Sequence, residues 1–404
     1  MQLAHRIRFV PNSPTLAITA KALKMKSEGR DIISLSIGEP DFPTPAHIIE
    51  AAKVALDNGA TKYTPAAGIP ELRQAVADEI SANYGLDKIT SDHVIISSGA
   101  KHSLYNAMMA IINPGDEVII PAPYWVSYPV IATLASGIPV FIPTSLEERF
   151  ILTPEKLRAA ITRRTKLVIL NNPSNPTGTV YNRKELKALL DVILDFPNIM
   201  ILEDAIYRKL IYGNAKFTSI ASFSEEARKR TIIIDGVSKA YAMTGWRIGF
   251  SIARRQVTKA MAHIQSHTTS NPAAVSQMAS LAALTGIQQP VDDMVGQFVS
   301  RRNYMLKHLS RLENFEFHHP RGAFYVLPRI SNLLGKITPT GDLLKTDVDL
   351  ANYFLDQSGV ALVPGTSFGA PSHIRLSYAL NNDRIEDALN RIAEAVIQLR
   401  EPGV

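Results

Sequence analysis

Short apolar runs recur along the middle of the chain, separated by stretches with the hydrophobic spacing of helices. We predict seven strands, at 93–97, 117–121, 139–143, 166–171, 199–204, 231–235 and 247–253. Most of these runs are apolar at successive positions, which is typical of a sheet covered on both faces. Helical patterns lie between them, including those at 103–112, 154–161 and 183–194. This alternation predicts an α/β fold with a mainly parallel sheet.

The pattern changes after about Pro290. Long helical patterns occur there, at 292–312 and 383–399, together with shorter predicted strands at 323–327 and 374–378. We therefore predict a second, smaller α+β unit in the C-terminal part of the chain. The length of 404 residues is consistent with two units, because domains usually contain about 100–200 residues.

Composition narrows the class of protein. Hydrophobic residues make up 46% of the chain and charged residues 20%, as in ordinary soluble globular proteins. The net charge of +6 comes from basic residues that are spread along the chain or occur only in pairs, so we expect no nucleic-acid partner. The chain has no cysteine, which excludes disulfides, thiolate metal sites and a cysteine nucleophile. No metal site is expected.

Neither a signal peptide nor a membrane span is expected. Residues 1–19 lack a continuous apolar core, and no stretch approaches the roughly 18 apolar residues that cross a bilayer. We therefore expect a cytoplasmic protein.

Polar residues follow the predicted strands closely. Ser98 and Gly99 follow the first strand, Asp204 ends the fifth, and Ser238 and Lys239 come just after the sixth. A turn at 171–178 follows the fourth. Ligands of open α/β sheets bind beyond the carboxyl ends of the strands. The sequence therefore predicts one shared site at this edge.

Three charged residues carry candidate chemistry. Burial of Lys239 would lower the pKa of its amine and favour the neutral nucleophile that forms a Schiff base, although a lone loop lysine is more often a surface residue. Arg247 offers forked donors suited to phosphate. Asp204 could pair with a protonated ring nitrogen or could simply cap a helix.

Two turns offer backbone and amide groups. In the turn at 171–178, two prolines and a glycine restrict the backbone and could aim the amide of Asn175, or could form a connection without a ligand. The segment 97–101 leads into a helix that we predict to begin near His102, where free N–H groups could hold an anion. A plain strand-to-helix turn is the alternative there.

Taken together, the ordered motifs resemble those of class I aminotransferases, which are pyridoxal phosphate (PLP) enzymes of fold type I. The resemblance is closest to the bacterial branch that contains aspartate and aspartate/prephenate aminotransferases. It runs over nearly the whole chain and rests on the segments 38–42, 62–63, 68–73, 123–129, 175–178, 238–249 and 375–378. It implies a large domain at 46–290 with a mainly parallel seven-stranded sheet, and a small domain formed by 1–45 and 291–404.

The resemblance also implies a role for each residue of the cofactor site. Lys239 would hold PLP as a Schiff base and move a proton, and Asp204 would bind the ring nitrogen. Asn175 and Tyr207 would contact the phenolic oxygen, and Trp125 would stack on the ring. The phosphate would be held by Ser98, Gly99, Ala100, Ser238 and Arg247, and by Tyr63 from the neighbouring subunit of a homodimer. Because Ala100 lacks the hydroxyl often found there, its backbone amide is the expected donor.

The substrate residues follow in the same way. Arg375, with the backbone of Gly38, would bind the α-carboxylate of an amino acid or 2-oxo acid, and Lys101 the distal carboxylate. Trp125 and Asn175 would also contact the substrate. The expected reaction is ping-pong transfer of an amino group between L-aspartate and 2-oxoglutarate.

Other activities remain possible at this stage. A prephenate or aromatic aminotransferase is the main alternative, and a β-eliminating lyase is another. A PLP-binding regulator without turnover is disfavoured, because about 30 residues precede the first family motif and such regulators carry a DNA-binding domain there.

Overall fold

This computed structural model describes residues 3–4, 7, 10 and 14–402. Within them the chain forms thirteen α-helices, named in order: α1 Pro14–Ser27, α2 Ala46–Asp57, α3 Pro70–Tyr84, α4 Ala100–Ile111, α5 Ser127–Leu134, α6 Pro154–Ala160, α7 Arg183–Leu194, α8 Glu225–Arg230, α9 Arg255–Ser266, α10 Ala274–Thr285, α11 Gln289–Leu309, α12 Asp347–Tyr353 and α13 Asn382–Ile397. None of the helices in these ranges is long and apolar enough to cross a membrane.

The same residues form twelve strands: β1 Ile33–Ser34, β2 Val94–Ser97, β3 Glu117–Ala122, β4 Ile138–Pro143, β5 Thr165–Asn171, β6 Met200–Asp204, β7 Thr231–Gly236, β8 Gly249–Ile252, β9 Tyr325–Val326, β10 Val360–Ala361, β11 Val363–Pro364 and β12 Ile374–Ser377. Seven of them form one sheet in the order β2-β8-β7-β6-β5-β3-β4. Strand β8 is antiparallel to both neighbours, and the other pairs are parallel. The predicted α/β fold with a mainly parallel sheet is confirmed.

Burial explains the hydrophobic pattern of this sheet. Every residue of β2, β6, β7 and β8 is buried, since helices cover both faces. Strand β4, at the opposite edge of the sheet from β2, is less well covered, and most of its side chains are partly or fully exposed. Pro139 and Pro143 have no N–H group to donate to a neighbouring strand. They are tolerated in β4 because an edge strand has a neighbour on one side only.

The start of helix α7, one of the helices that cover the sheet, is determined by its local sequence. The side chain of Asn182 accepts a hydrogen bond from the N–H of Glu185 at 2.9 Å, and the carboxylate of Glu185 accepts one from the N–H of Asn182 at 2.8 Å. Such reciprocal capping satisfies two N–H groups at a helix start, and loss of an N-cap side chain costs about 1 kcal/mol. Leu186, Leu189 and Ile193 of α7 are buried in a core cluster against the sheet.

Several predicted bounds need correction. The helix expected at 103–112, beginning near His102, starts at Ala100 because Gly99 has φ +91° and ends the preceding turn. The helix expected at 292–312 spans Gln289–Leu309, since proline is tolerated in a first turn. The strand expected at 247–253 is shorter, because Arg247 has φ +57°. The strands expected at 323–327 and 374–378 also shorten, to β9 and β12.

Two small sheets complete the fold. Strands β11, β12 and β9 form an antiparallel sheet, and β1 pairs with β10 in parallel. Strand β12 carries Arg375, which lies opposite Val363 of β11. These pairings bring the N-terminal segment around Ser34–Ser36 beside Arg375, whose guanidinium donates to the carbonyl of Ser36.

Candidate active site

A cavity of about 700 Å³ lies at the carboxyl ends of β2, β5, β6 and β7. Eleven of the fourteen residues predicted for the site line it: Gly38, Ala100, Lys101, Trp125, Asn175, Asp204, Tyr207, Ser238, Lys239, Arg247 and Arg375. Ser98 and Gly99 directly precede Ala100 in the adjoining turn. Tyr63 is not part of this lining, and its side chain is 90% exposed in the single chain.

Lys239 lies three residues beyond the end of β7. Its Nζ donates a hydrogen bond to the carbonyl of Gly38 at 2.6 Å. Burial lowers the pKa of Lys239 to about 8; Glu39 opposes the shift, while Arg375 and Arg247 add to it. A larger fraction of this amine is therefore neutral near physiological pH than for a surface lysine, as a nucleophile requires.

Asp204 is buried at the last position of β6. Its carboxylate accepts hydrogen bonds from the hydroxyl of Tyr128 at 2.6 Å and from the N–H of Ile206 at 3.2 Å. Burial raises the pKa of Asp204 to about 6. Asp204 caps none of the helices described above, so the alternative interpretation as a helix cap is wrong. A cation beside this carboxylate would favour its charged form.

Arg375 is a buried cation, with only 4% of the residue exposed. It donates to the side-chain oxygen of Asn175 at 3.0 Å and to the carbonyl of Ser36 at 2.9 Å. Its guanidinium lies over the rings of Tyr325 and Phe368, at 4.3 and 4.9 Å from their centroids. Its Nε is buried without a hydrogen-bond partner, and no carboxylate of the described chain pairs with it. Because burying an unpaired charge is costly, this arrangement favours an anionic ligand.

The turn after β5 is fixed by its own hydrogen bonds. The N–H of Asn175 donates to the side chain of Asn171 at 2.7 Å, and Asn171 donates to the carbonyl of Asp204 at 3.0 Å. Tyr207 forms a hydrogen bond with Tyr325 through their hydroxyls at 3.0 Å. These contacts hold the polar groups of Asn175 and Tyr207 with little freedom to rotate.

Gly99, Arg247 and Gly249 pack closely at one end of the cavity. A Cβ atom on Gly99 would lie 2.3 Å from Nη2 of Arg247, and one on Gly249 would lie 2.2 Å from the backbone nitrogen of Ala100. Arg247 also donates to the carbonyl of Thr244 at 2.9 Å. The start of α4 and a guanidinium thus meet at one place, which is a favourable anion site.

Lys101 and Trp125 face each other on another wall. The Nζ of Lys101 lies 5.0 Å from the ring centroid of Trp125, and Trp125 meets Tyr128 edge to face at 5.4 Å. Burial and the nearby Arg247 lower the pKa of Lys101. Lys101 makes no ion pair with a carboxylate in the described part of the chain.

Three of these side chains had not been assigned to the site from sequence. Asn171 was part of the recognised turn, and Tyr128 lies in the aromatic segment 123–129, but neither position indicated which way its side chain points. Tyr325 lies on β9 of the small antiparallel sheet, and only the packing of that sheet brings it to Tyr207.

Residues 30–392 match the family model described as "Aminotransferase class I and II". The chain belongs to this family. Over 97% of its length it is 45% identical to an aspartate aminotransferase of Geobacillus stearothermophilus, of which 98% is covered. It is 42% identical to an aspartate/prephenate aminotransferase of Nitrosomonas europaea, over 97% of this chain and 99% of that one. A crystal structure of the Rhizobium meliloti aspartate aminotransferase superposes with a TM-score of 0.95 at 43% identity, covering 99% and 100% of the two chains.

Members of this aminotransferase family depend on PLP. The cavity offers a partner for each polar part of that cofactor. An arginine and a helix start suit the phosphate, a buried carboxylate suits the ring nitrogen, and an amine with a lowered pKa suits the aldehyde. The donor set of this chain therefore fits PLP, and the enzyme class is a PLP-dependent aminotransferase.

Proposed function

We propose that this aminotransferase exchanges an amino group between L-aspartate and 2-oxoglutarate. The observation that carries the proposal is the pairing, in one cavity, of Lys239 with two separate cations for substrate carboxylates, Arg375 and Lys101. The aspartate aminotransferases similar to this chain support the choice of a dicarboxylic substrate.

Each residue that would surround the cofactor has a separate role. PLP, when bound, supplies a carbonyl carbon for the amino group and an electron sink for the bond broken at the substrate Cα. Asp204 holds a proton at the ring nitrogen, and Tyr128 orients its carboxylate. Arg247, Ser238 and the backbone of 98–100 would bind the phosphate. Asn175 and Tyr207 would donate to the phenolic oxygen, and Trp125 would pack on the ring.

Lys239 is both the covalent anchor and the base. With PLP bound and substrate in place, the free Nζ would take the proton from the substrate Cα and would hold it for return to the cofactor carbon on the other side of the transferred nitrogen. Its lowered pKa suits this work, because a base is most effective when its pKa lies near the working pH. The carbonyl of Gly38 accepts a hydrogen bond from the free amine and so helps to aim it.

The carboxylates orient the substrate. Arg375 binds the α-carboxylate, which every substrate shares, through a charge-assisted fork. Lys101 binds the distal carboxylate of aspartate or 2-oxoglutarate as a point charge. A point charge constrains geometry less than a guanidinium does, so substrates with differently placed second groups remain candidates.

The active unit is a homodimer in this proposal, with Tyr63 reaching the phosphate in the neighbouring subunit. Support comes from the exposure of the Tyr63 ring in the loop between α2 and α3. A PLP-loaded protein that sediments as a single subunit with full activity would contradict it. The division into domains at 46–290 and at 1–45 with 291–404 is part of the same proposal, as is a cytoplasmic location.

A half-reaction panel tests the substrate. PLP-loaded protein is mixed with L-aspartate, L-glutamate or L-phenylalanine, the pyridoxamine phosphate form is mixed with the 2-oxo acid prephenate, and conversion of the cofactor is followed by absorbance. We expect the highest second-order rate constants with aspartate and glutamate. Absence of turnover with aspartate would exclude the proposed reaction, and rapid conversion with prephenate or phenylalanine instead would establish the alternative that the Nitrosomonas relative's name suggests.

Replacing Lys101 tests the origin of that preference. Lys101→Ala should lower kcat/KM for aspartate by about 10–100-fold, because a hydrogen bond to a charged group contributes roughly 1.5–3 kcal/mol. The value for phenylalanine should change little. Lys101→Arg is the matched control and should keep most of the preference for dicarboxylates, since it keeps the charge. An equal loss with both substrates would rule out the assigned role.

A further inference from the structure

A second cavity, of about 250 Å³, lies at the amino ends of the parallel strands of the main sheet, whereas Lys239 lies beyond their carboxyl ends. Its lining includes Thr231, the first residue of β7, His93, which precedes β2, and Ala253, which follows β8. All three positions are at the amino end of the parallel strands, because β8 runs antiparallel to its neighbours. This cavity is therefore separate from the active site.

The inner wall of this second cavity is apolar. It is formed mainly by the side chains of Leu86, Ile89, Ala221, Ile233 and Ile252. No aspartate or glutamate belongs to the lining. The space suits an apolar body of about one six-membered ring, since ligand sites bury most of a small ligand against such walls.

The mouth of the cavity is basic. Besides His93 it is lined by Arg228, Lys229, Arg254 and Arg255. Glu225 pairs with Lys229 at 3.0 Å and with Arg228 at 3.9 Å, and Asp92 pairs with Arg255 at 3.4 Å. The four arginine and lysine side chains at the mouth thus have only two carboxylate partners, Glu225 and Asp92, and neither carboxylate lines the cavity. Arg254 makes no ion pair within residues 14–402.

Helix α9 adds to the positive potential at this mouth. It begins at Arg255, and its N-cap residue, Arg254, makes no side-chain hydrogen bond to the first-turn N–H groups. The N–H of Val257 already donates to the carbonyl of Arg254 at 2.9 Å, so the N–H groups of Arg255 and Gln256 and the helix dipole are what favour an anion here. An apolar wall, a mouth with excess positive charge and a helix start therefore coincide.

We propose that this second cavity binds a small organic monoanion with an apolar body, such as an aryl or branched-chain carboxylate. The apolar part lies against Ile89, Ile233 and Ile252. The carboxylate lies at the mouth, within reach of Arg254 and the start of α9. Nothing in this proposal depends on which amino donor the enzyme uses.

The test uses 3-phenylpropionate as the probe, titrated into the PLP-loaded protein by calorimetry. The active site also binds carboxylates, so the titration is done with saturating maleate, the ligand of a similar Thermus thermophilus aspartate aminotransferase structure. It is repeated in Arg375→Ala without maleate. We expect saturable binding under both conditions, and at least about tenfold weaker binding of the neutral alcohol 3-phenylpropanol.

Two variants locate the binding. Arg254→Glu should weaken 3-phenylpropionate binding at least about tenfold, because it reverses a charge at the mouth, and it should keep the fold because Arg254 is exposed. Ile89→Trp should fill the cavity and abolish binding. Arg163→Glu is the matched control, an exposed arginine just before β5 at the same end of the sheet, and should leave binding unchanged. Absence of binding with the active site blocked, or binding that neither cavity variant alters, would overturn the proposal.

Discussion

Lys239→Ala is expected to abolish transamination, with turnover at least about 10⁴-fold below that of the unmodified chain. The substitution removes the amine that anchors the cofactor and the base that moves the proton at the substrate Cα. No other lysine lies at hydrogen-bond distance from the carbonyl of Gly38 in the described chain, so no neighbour replaces it. The measurement is single-turnover conversion of added PLP and L-aspartate.

The fold of Lys239→Ala is checked through the pH dependence of stability without cofactor. The pKa of Lys239 is lowered to about 8 in the folded chain, against a usual value of 10.5, so the unfolded chain binds more protons between these values. Stability should therefore rise with pH between about 8 and 10.5 in the parent protein. The variant should show a smaller rise, because only the contribution of other lysines with a lowered pKa such as Lys101 remains, and it should still unfold cooperatively. Lys259→Ala, an exposed lysine on α9, is the control that should keep both rise and activity. Appreciable turnover by Lys239→Ala would refute the assignment.

Arg375→Ala is expected to lower kcat/KM for every substrate by about 30-fold to 5,000-fold. The range corresponds to the roughly 2–5 kcal/mol lost when one partner of a buried, hydrogen-bonded charge pair is truncated. Because amino donors and 2-oxo acceptors share the α-carboxylate, the loss should be similar for aspartate, glutamate and phenylalanine. The measurement is kcat/KM for each in the half-reaction.

The conservative replacement sharpens this test. Arg375→Lys keeps a charge but loses the fork, so its kcat/KM should lie between those of the parent and Arg375→Ala. Both variants should still bind PLP, since Arg375 is not assigned to the phosphate or the ring, although the pKa of Lys239 should rise in Arg375→Ala because a nearby cation is lost. A loss confined to dicarboxylic substrates would instead place Arg375 at the distal carboxylate.

The carboxyl ends of the strands were the most predictable part of this molecule. Apolar runs marked β5, β6 and β7 to within a residue or two. Asp204 ends one of these runs, and Asn175 and Lys239 follow the other two. Parallel strands bring their carboxyl ends to one edge, so the convergence of these three residues needed no knowledge of packing. The family resemblance then supplied Arg375, which the sheet alone does not indicate.

Side-chain direction and strand order were not predictable in the same way. Nothing in the local pattern shows that β8 lies between β2 and β7, because its apolar residues would suit any buried strand. The contacts of Tyr128 with Asp204 and of Tyr325 with Tyr207 join distant elements. They depend on how α5 and the small sheet pack, which is a property of the whole fold.

The packing of Gly249 against Ala100 has a consequence for how this enzyme can vary. A side chain at position 249 would collide with backbone, which cannot rotate away as a flexible side chain can. Natural selection should therefore hold this glycine as strictly as Lys239, although it contributes no chemical group. In a mutant library screened for new amino donors, substitutions should be introduced at Lys101 and the residues around it. Gly249 should not be varied.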